Sequence, residues 1–225
     1  FLTLFMTGVL LVLFAIAALT VKNFYLPRNI LNLLTNNWYI VILGIGVTFL
    51  LITGHYDMSV GGVIALTGVM SVYFCQASNV SQNPLANGLG LPYGVAIVLA
   101  LLCALAIGGL NAFFVTRIKV PSIIVTLGTM MLARGIAQVV TQGAQRNTSL
   151  PDVYGVLGSW SIPGTPIRLA VVVMVVLLVA AFIFEKTTVA GRRTYLIGAN
   201  ARAARLSGIN VSRHLTALYL LSALL

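Results

Sequence analysis

Long apolar runs separated by short polar gaps set the pattern of this chain. The runs cover residues 1–20, 31–53, 60–76, 93–115, 122–141 and 169–184, and another starts at 215. A helix needs about 20 apolar residues to cross the hydrocarbon core, where every backbone amide must bond within its own segment. The pattern predicts an all-α, polytopic transmembrane helical bundle with six full spans and a truncated seventh. The third and sixth spans are short. Stretches 78–91 and 142–167 hold Pro84, Pro151, Pro163 and Pro166 with several glycines, and read as connecting loops. Residues 1–225 form one transmembrane domain. Both ends fall inside apolar runs, so a fragment of a longer subunit is expected.

Composition agrees with a lipid solvent: 60% of residues are hydrophobic and 7% charged, against about 25% charged in soluble domains. Thirteen Lys and Arg face three acids, Asp57, Asp152 and Glu185, for a net charge of +10. A nucleic-acid binder would gather its basic residues on a polar face. Here they fall in the gaps between apolar runs, as membrane topology requires, and no nucleic-acid partner is expected. The gap 185–214 holds Lys186, Arg192, Arg193, Arg202, Arg205 and Arg213, which places it in the cytoplasm. Alternation puts Arg117 and Lys119 on the same side. The opposite side receives Lys22, Arg28, Arg146 and Arg168. Cys75 and Cys103 have no Cys or His at ligand spacing and read as small packing residues, with no metal site implied.

Four features stand out against this background. In residues 54–62, GHYDMSVGG, His55 and Asp57 sit between apolar runs with glycines on both sides. Ionisable groups at membrane depth usually face a cavity or a partner, and glycine-flanked helix breaks recur in transporters. His55, Asp57, Ser59 and Gly61 are therefore candidates to line a translocation path. An equally simple role for Asp57 is to accept the amide of Ser59 or Val60 as a helix cap. Arg134 lies deep in the fifth span. Snorkelling to the outer headgroups accounts for it, with a place on the solute path as the alternative. Ala104, Gly108 and Ala112 recur at four-residue spacing, which suits close helix packing in lipid. In residues 194–211, TYLIGANARAARLSGINV, Asn200 reads as an N-cap, 201–207 as a short helix and Gly208 as its stop. On composition alone this is a basic segment held against anionic lipid.

Other chemistry is not supported. A P-loop ends in Gly-Lys-Ser/Thr, yet none of Lys22, Lys119 and Lys186 follows a glycine. Any ATP hydrolysis must occur on another polypeptide. There is no HExxH, no GxSxG and no pair of neighbouring carboxylates, so the chain reads as neither an enzyme nor a holder of a cofactor. Asn36, Asn37, Trp38, Asn111 and Gln138 offer groups suited to a polar solute, with nothing to rank them.

Three stretches resemble one family. Residues 57–61, DMSVG, with the helix after them, 118–135, IKVPSIIVTLGTMMLARG, and 191–211 are similar in order and spacing to the permeases of sugar-importing ABC transporters of the ribose, xylose and galactofuranose type, which include autoinducer-2 permeases. The resemblance covers residues 29–225. It implies a bacterial inner-membrane permease importing a monosaccharide or similar small polar solute. It also implies that 185–214 is a coupling loop whose 201–208 helix docks on a separate ATP-binding cassette subunit. Asn200, Arg202, Ala204, Arg205, Leu206 and Gly208 would carry that docking. A second permease copy or paralogue, an extracytoplasmic solute-binding protein and about three further helices beyond Leu225 are implied too. His55 and Tyr56 depart from the family's Gly-Ile before the Asp. An ion-coupled secondary transporter using Asp57 and His55 is the rival reading.

Overall fold

The computed structural model describes residues 2–22, 24–77, 87–142 and 152–225. Arg146, Pro84, Pro151 and parts of both long connecting loops lie outside the described residues. The helices are α1 (Leu2–Thr20), α2 (Pro27–Ile52), α3 (Val60–Cys75), α4 (Tyr93–Phe113), α5 (Ser122–Thr141), α6 (Val156–Ser159), α7 (Leu169–Thr187), α8 (Val189–Ala199), α9 (Ala201–Leu206) and α10 (Val211–Leu224). Among the described residues the only extended pairing is one isolated bridge, Ser161 to Arg168.

The six expected spans and the seventh correspond to α1 to α5, α7 and α10. Four of these are long and apolar enough to cross a membrane: Pro27–Ile52, Tyr93–Ile118, Ser122–Thr141 and Leu169–Thr187. The fifth span matches its sequence reading residue for residue. The fourth runs on past Val115 as a π-helical turn, Phe114–Ile118. That turn closes on Lys119, whose φ is 64°. Neither α8 nor the short helices at residues 152–159 had a sequence signal.

The core forms where small residues let α10 and α3 enter the bundle. Ile45, Phe49, Leu50, Ala112, Val125, Leu218 and Tyr219 form one buried cluster shared by α2, α4, α5 and α10. Val63, Leu66, Ala104, Ile107 and Ala133 form another between α3, α4 and α5. Helix attraction in lipid depends on close van der Waals contact, and glycines permit it. A Cβ on Gly46 would lie 2.8 Å from the Ser222 Cα, one on Gly108 2.7 Å from the Ala223 Cβ, and one on Gly62 2.6 Å from the Met130 oxygen. The Ala104, Gly108 and Ala112 stripe is thus consumed by packing within the chain. Cys75 is buried, and Cys103 packs against the α3–α4–α5 cluster.

The basic gaps meet on one side. Lys119, from the turn after α4, and Arg205, from α9, line one hollow, as the charge pattern requires. There α8 and α9 fold back on the start of α10, burying Ile197, Ala204, Val211 and Leu215 together.

Candidate functional site

The second span does not pass smoothly into the third. Thr53 ends α2, with its Oγ1 donating to the Leu50 carbonyl at 2.7 Å. Gly54 then takes φ 77°, in the region open to glycine. Residues 55–58 have no regular structure before α3 begins at Val60. Backbone without a helix is tolerated at membrane depth only where protein or a cavity satisfies it. The Tyr56 amide donates to Ser122 Oγ at 3.1 Å, and the Tyr219 hydroxyl donates to the Tyr56 carbonyl at 3.3 Å. Helices α5 and α10 thereby hold the break from two sides.

Asp57 anchors a buried chain of hydrogen bonds that follows. Its Oδ1 accepts from the Ser59 amide at 2.9 Å and from Ser59 Oγ at 2.5 Å. Its Oδ2 accepts from Ser222 Oγ on α10 at 2.8 Å. Ser59 Oγ accepts in turn from Asn111 Nδ2 on α4 at 2.8 Å, and Asn111 Oδ1 accepts from Thr129 Oγ1 on α5 at 2.6 Å. Asn111 and Ser59 are 0% and 1% exposed, so water does not replace these bonds. The Ser59 and Ser222 hydroxyls both lie within hydrogen-bond distance of the carboxylate. A buried charge is tolerable when it is bonded in this way. The helical rise sets the depth at about 10 Å beyond Ser122 for Thr129 and about 16 Å beyond Val211 for Ser222. The network therefore lies within the membrane part of the bundle.

The capping bond read from the sequence is present, since Asp57 accepts the Ser59 amide. Its bonds to neighbouring helices are additional. A cavity of about 180 Å³ adjoins Asp57 and Ser222, with Val63, Thr67 and Ala104 among its walls. That is below the usual ligand-pocket range of roughly 300–1,000 Å³. The larger hollow of about 510 Å³ between α2 and α7 is walled mainly by Val41, Ile45, Phe49, Leu178 and Phe182. It lies away from Asp57, and its apolar lining suits acyl chains.

The remaining candidates separate from Asp57. Arg134 does not extend towards the outer headgroups as snorkelling would require. Gly62 packs on Met130, one turn earlier on α5, and Arg134 Nη2 lies 3.3 Å from where a Cβ on Gly61 would stand. The side chain points back along its own helix, the direction in which helical side chains lean, and covers the first turn of α3. Among the described residues no carboxylate forms an ion pair with Arg134. His55 turns to the side that carries Lys119 and Arg205. It shares a hollow of about 430 Å³ with Thr116, Lys119, Arg205 and Ser212.

The segment 200–208 forms as its residues dictate. Asn200 Oδ1 accepts the amides of Arg202 and Ala203, each at 3.0 Å. Gly208, at φ 81°, stops α9, and the Ile209 amide returns to the Ala204 carbonyl at 3.0 Å. Ala204 faces inward, whereas Arg202, Arg205 and Leu206 are exposed, Leu206 by 85%. A short helix capped at both ends exposes an apolar residue, Leu206, beside two arginines, Arg202 and Arg205. On α8, Thr194 Oγ1 and His214 Nε2 are 2.9 Å apart, and the Tyr195 hydroxyl donates to Glu185. Burial and nearby Arg193 hold the His214 pKa below its ordinary 6.5.

Sequence reasoning missed Thr129 and Ser222, and it named Asn111 only among solute-binding candidates. Asn111 is an isolated amide in the apolar α4, which was a signal, whereas Thr129 and Ser222 sit among other polar residues of α5 and α10 and had none.

Known proteins place the chain in context. It is 34% identical over 207 residues to the ribose import permease protein RbsC of Haemophilus influenzae, covering 91% of this chain and 60% of that protein. It is 35% identical over 219 residues to the protein of the same name in Escherichia coli K12, covering 96% and 64%. The galactose/methyl galactoside import permease protein MglC of Escherichia coli K12 is 28% identical over 220 residues, covering 95% and 65%. The chain thus spans less than two thirds of the length of these relatives. No solved structure matches it. Residues 29–225, nearly the whole chain, match the family described as the branched-chain amino acid transport system permease component, and the chain belongs to that family.

Proposed function

We propose that the chain is the membrane-spanning part of a permease subunit in an ATP-driven importer of a monosaccharide or similar small polar solute. The observation that carries this reading is α9, a doubly capped helix with an exposed Leu206 tip, mounted on a bundle of a permease family. Relatives named for ribose and galactose import support the sugar class. A separate ATP-binding cassette subunit would dock on Arg202, Arg205 and Leu206. An extracytoplasmic solute-binding protein would deliver the solute.

Transport proceeds by alternating access. Closure of two ATP-binding subunits moves α9, and the helices reopen to the other side. His55, Asp57, Ser59, Gly61 and Arg134 lie beside the path and shape it; the chain forms and breaks no covalent bonds. A second permease copy or paralogue completes a path that the small cavity beside Asp57 does not enclose alone. The multi-pass subunit resides in the bacterial inner membrane, in contact with lipid.

The test is uptake of radiolabelled ribose or galactose into proteoliposomes holding the full-length permease, its ATP-binding subunit and its binding protein. Uptake that requires ATP supports the reading. Uptake driven by a proton or sodium gradient without the ATP-binding subunit contradicts it.

A further inference from the structure

We propose that Gly198 is a positioning residue for transport: through its contact with Ile52, movement of the docking helix α9 reaches the broken segment that carries Asp57. The inference rests on the permease reading above and adds the route inside this chain.

The contact is between backbones. A Cβ on Gly198 would overlap the Ile52 carbonyl oxygen and lie 3.0 Å from its carbon and 3.5 Å from the Thr53 Cα. A clash with backbone has no rotamer through which to relax, so the close approach depends on the missing side chain. Gly198 stands two residues before Asn200, which ends α8 and caps α9 through its side chain. Ile197 and Ala204 share one buried cluster with Val211 and Leu215, so α8 and α9 move as a unit. On the other side of the contact, Ile52 is the last residue of α2 and Thr53 is 5% exposed. Thr53 is bonded locally: its carbonyl faces His55 Nδ1 at 3.1 Å. The chain then turns at Gly54 and reaches Asp57 three residues later. Force on Leu206 or Arg205 therefore has a contiguous path through Gly198 and residues 52–56 to the carboxylate. A packed backbone contact of this kind transmits displacement because it cannot deform gradually.

The test uses the full-length permease reconstituted with its ATP-binding subunit, and a thiol probe on Tyr56→Cys, whose native side chain is exposed. With Gly198 intact, the labelling rate should differ about fivefold or more between nucleotide-free and ATP-trapped complexes. Gly198→Ala should keep the ATP-binding subunit bound and hydrolysing, lower uptake at least about tenfold and abolish that labelling difference. A purely structural contact would leave the nucleotide dependence of labelling unchanged in Gly198→Ala. Normal uptake with an unchanged labelling difference in Gly198→Ala overturns the inference. Should that variant fail to fold, equal labelling in both states with Gly198 intact overturns it alone, and the expected difference supports it. A complex whose uptake never requires ATP overturns the permease reading as well, and is recognised because it fails before any substitution is made.

Discussion

Ser222 Oγ donates a 2.8 Å hydrogen bond to Asp57 Oδ2 and joins residues 165 positions apart. With the Ser59 bonds it gives the carboxylate three donors, and the relay through Asn111 to Thr129 ties α3, α4, α5 and α10 together at one depth. Asp57→Ala removes the acceptor from all three donors. It should lower the stability of the detergent-solubilised protein by about 2–3 kcal/mol, whereas Asp57→Asn, which keeps one carbonyl acceptor, should cost about 1 kcal/mol. Thermal unfolding of the two variants side by side checks this order. Equal losses would contradict it.

Glycines distinguish packing from mere composition. Gly62→Ala places a methyl 2.6 Å from the Met130 oxygen and must push α3 from α5, at a cost of about 1–3 kcal/mol. Gly68→Ala on the same helix meets nothing within 4 Å. It should be neutral, or stabilising by up to about 1 kcal/mol through helix propensity. Melting temperatures of the pair in one detergent decide the matter.

The spans were legible because apolar run length is a physical requirement of the bilayer. The α9 helix was legible because Asn200 and Gly208 each act on adjacent backbone. Asp57 was visible as a costly charge among apolar residues, yet its partners were not. Asn111, Thr129 and Ser222 come from three helices, and only their packing brings them to one carboxylate. Arg134 misled for a related reason. Its depth in α5 favoured a reach outward, but the rotamer points back over Gly61, a neighbour supplied by tertiary contact. Gly198 carries no local signal, because its neighbour Ile52 comes from a distant helix.

His214 should make the packing of α8 and α9 on α10 acid-sensitive. Burial and Arg193 lower its pKa in the folded protein, so the folded state favours the neutral ring. Its contribution is fully present above the unfolded value of 6.5 and is lost as pH falls from there through the lowered folded value. The thermal stability of the native protein should fall on acidification below 6.5 more steeply than that of His214→Gln, whose amide retains a partner for Thr194 without titrating. Parallel pH curves for the two would contradict this.

The cap on α9 predicts a graded effect on docking. Asn200→Ala leaves the Arg202 and Ala203 amides without their acceptor and should destabilise this short helix by about 1 kcal/mol. Affinity for the ATP-binding subunit should weaken about fivefold to tenfold as the docking-competent population falls. Asn200→Asp, which keeps the acceptor, should restore binding. Titration of the purified ATP-binding subunit against each permease in detergent measures this.

The central proposal is that α9 docks a separate ATPase. The decisive measurement is co-purification of the full-length permease with the P-loop ATP-binding subunit, comparing the native chain with one in which Ala204, Arg205 and Leu206 are replaced by a Gly-Ser linker. The native chain should give a stoichiometric complex and the variant should lose it, with the membrane helices still folded. A permease that retains the ATPase equally well after the replacement, or never binds it, would contradict docking through α9.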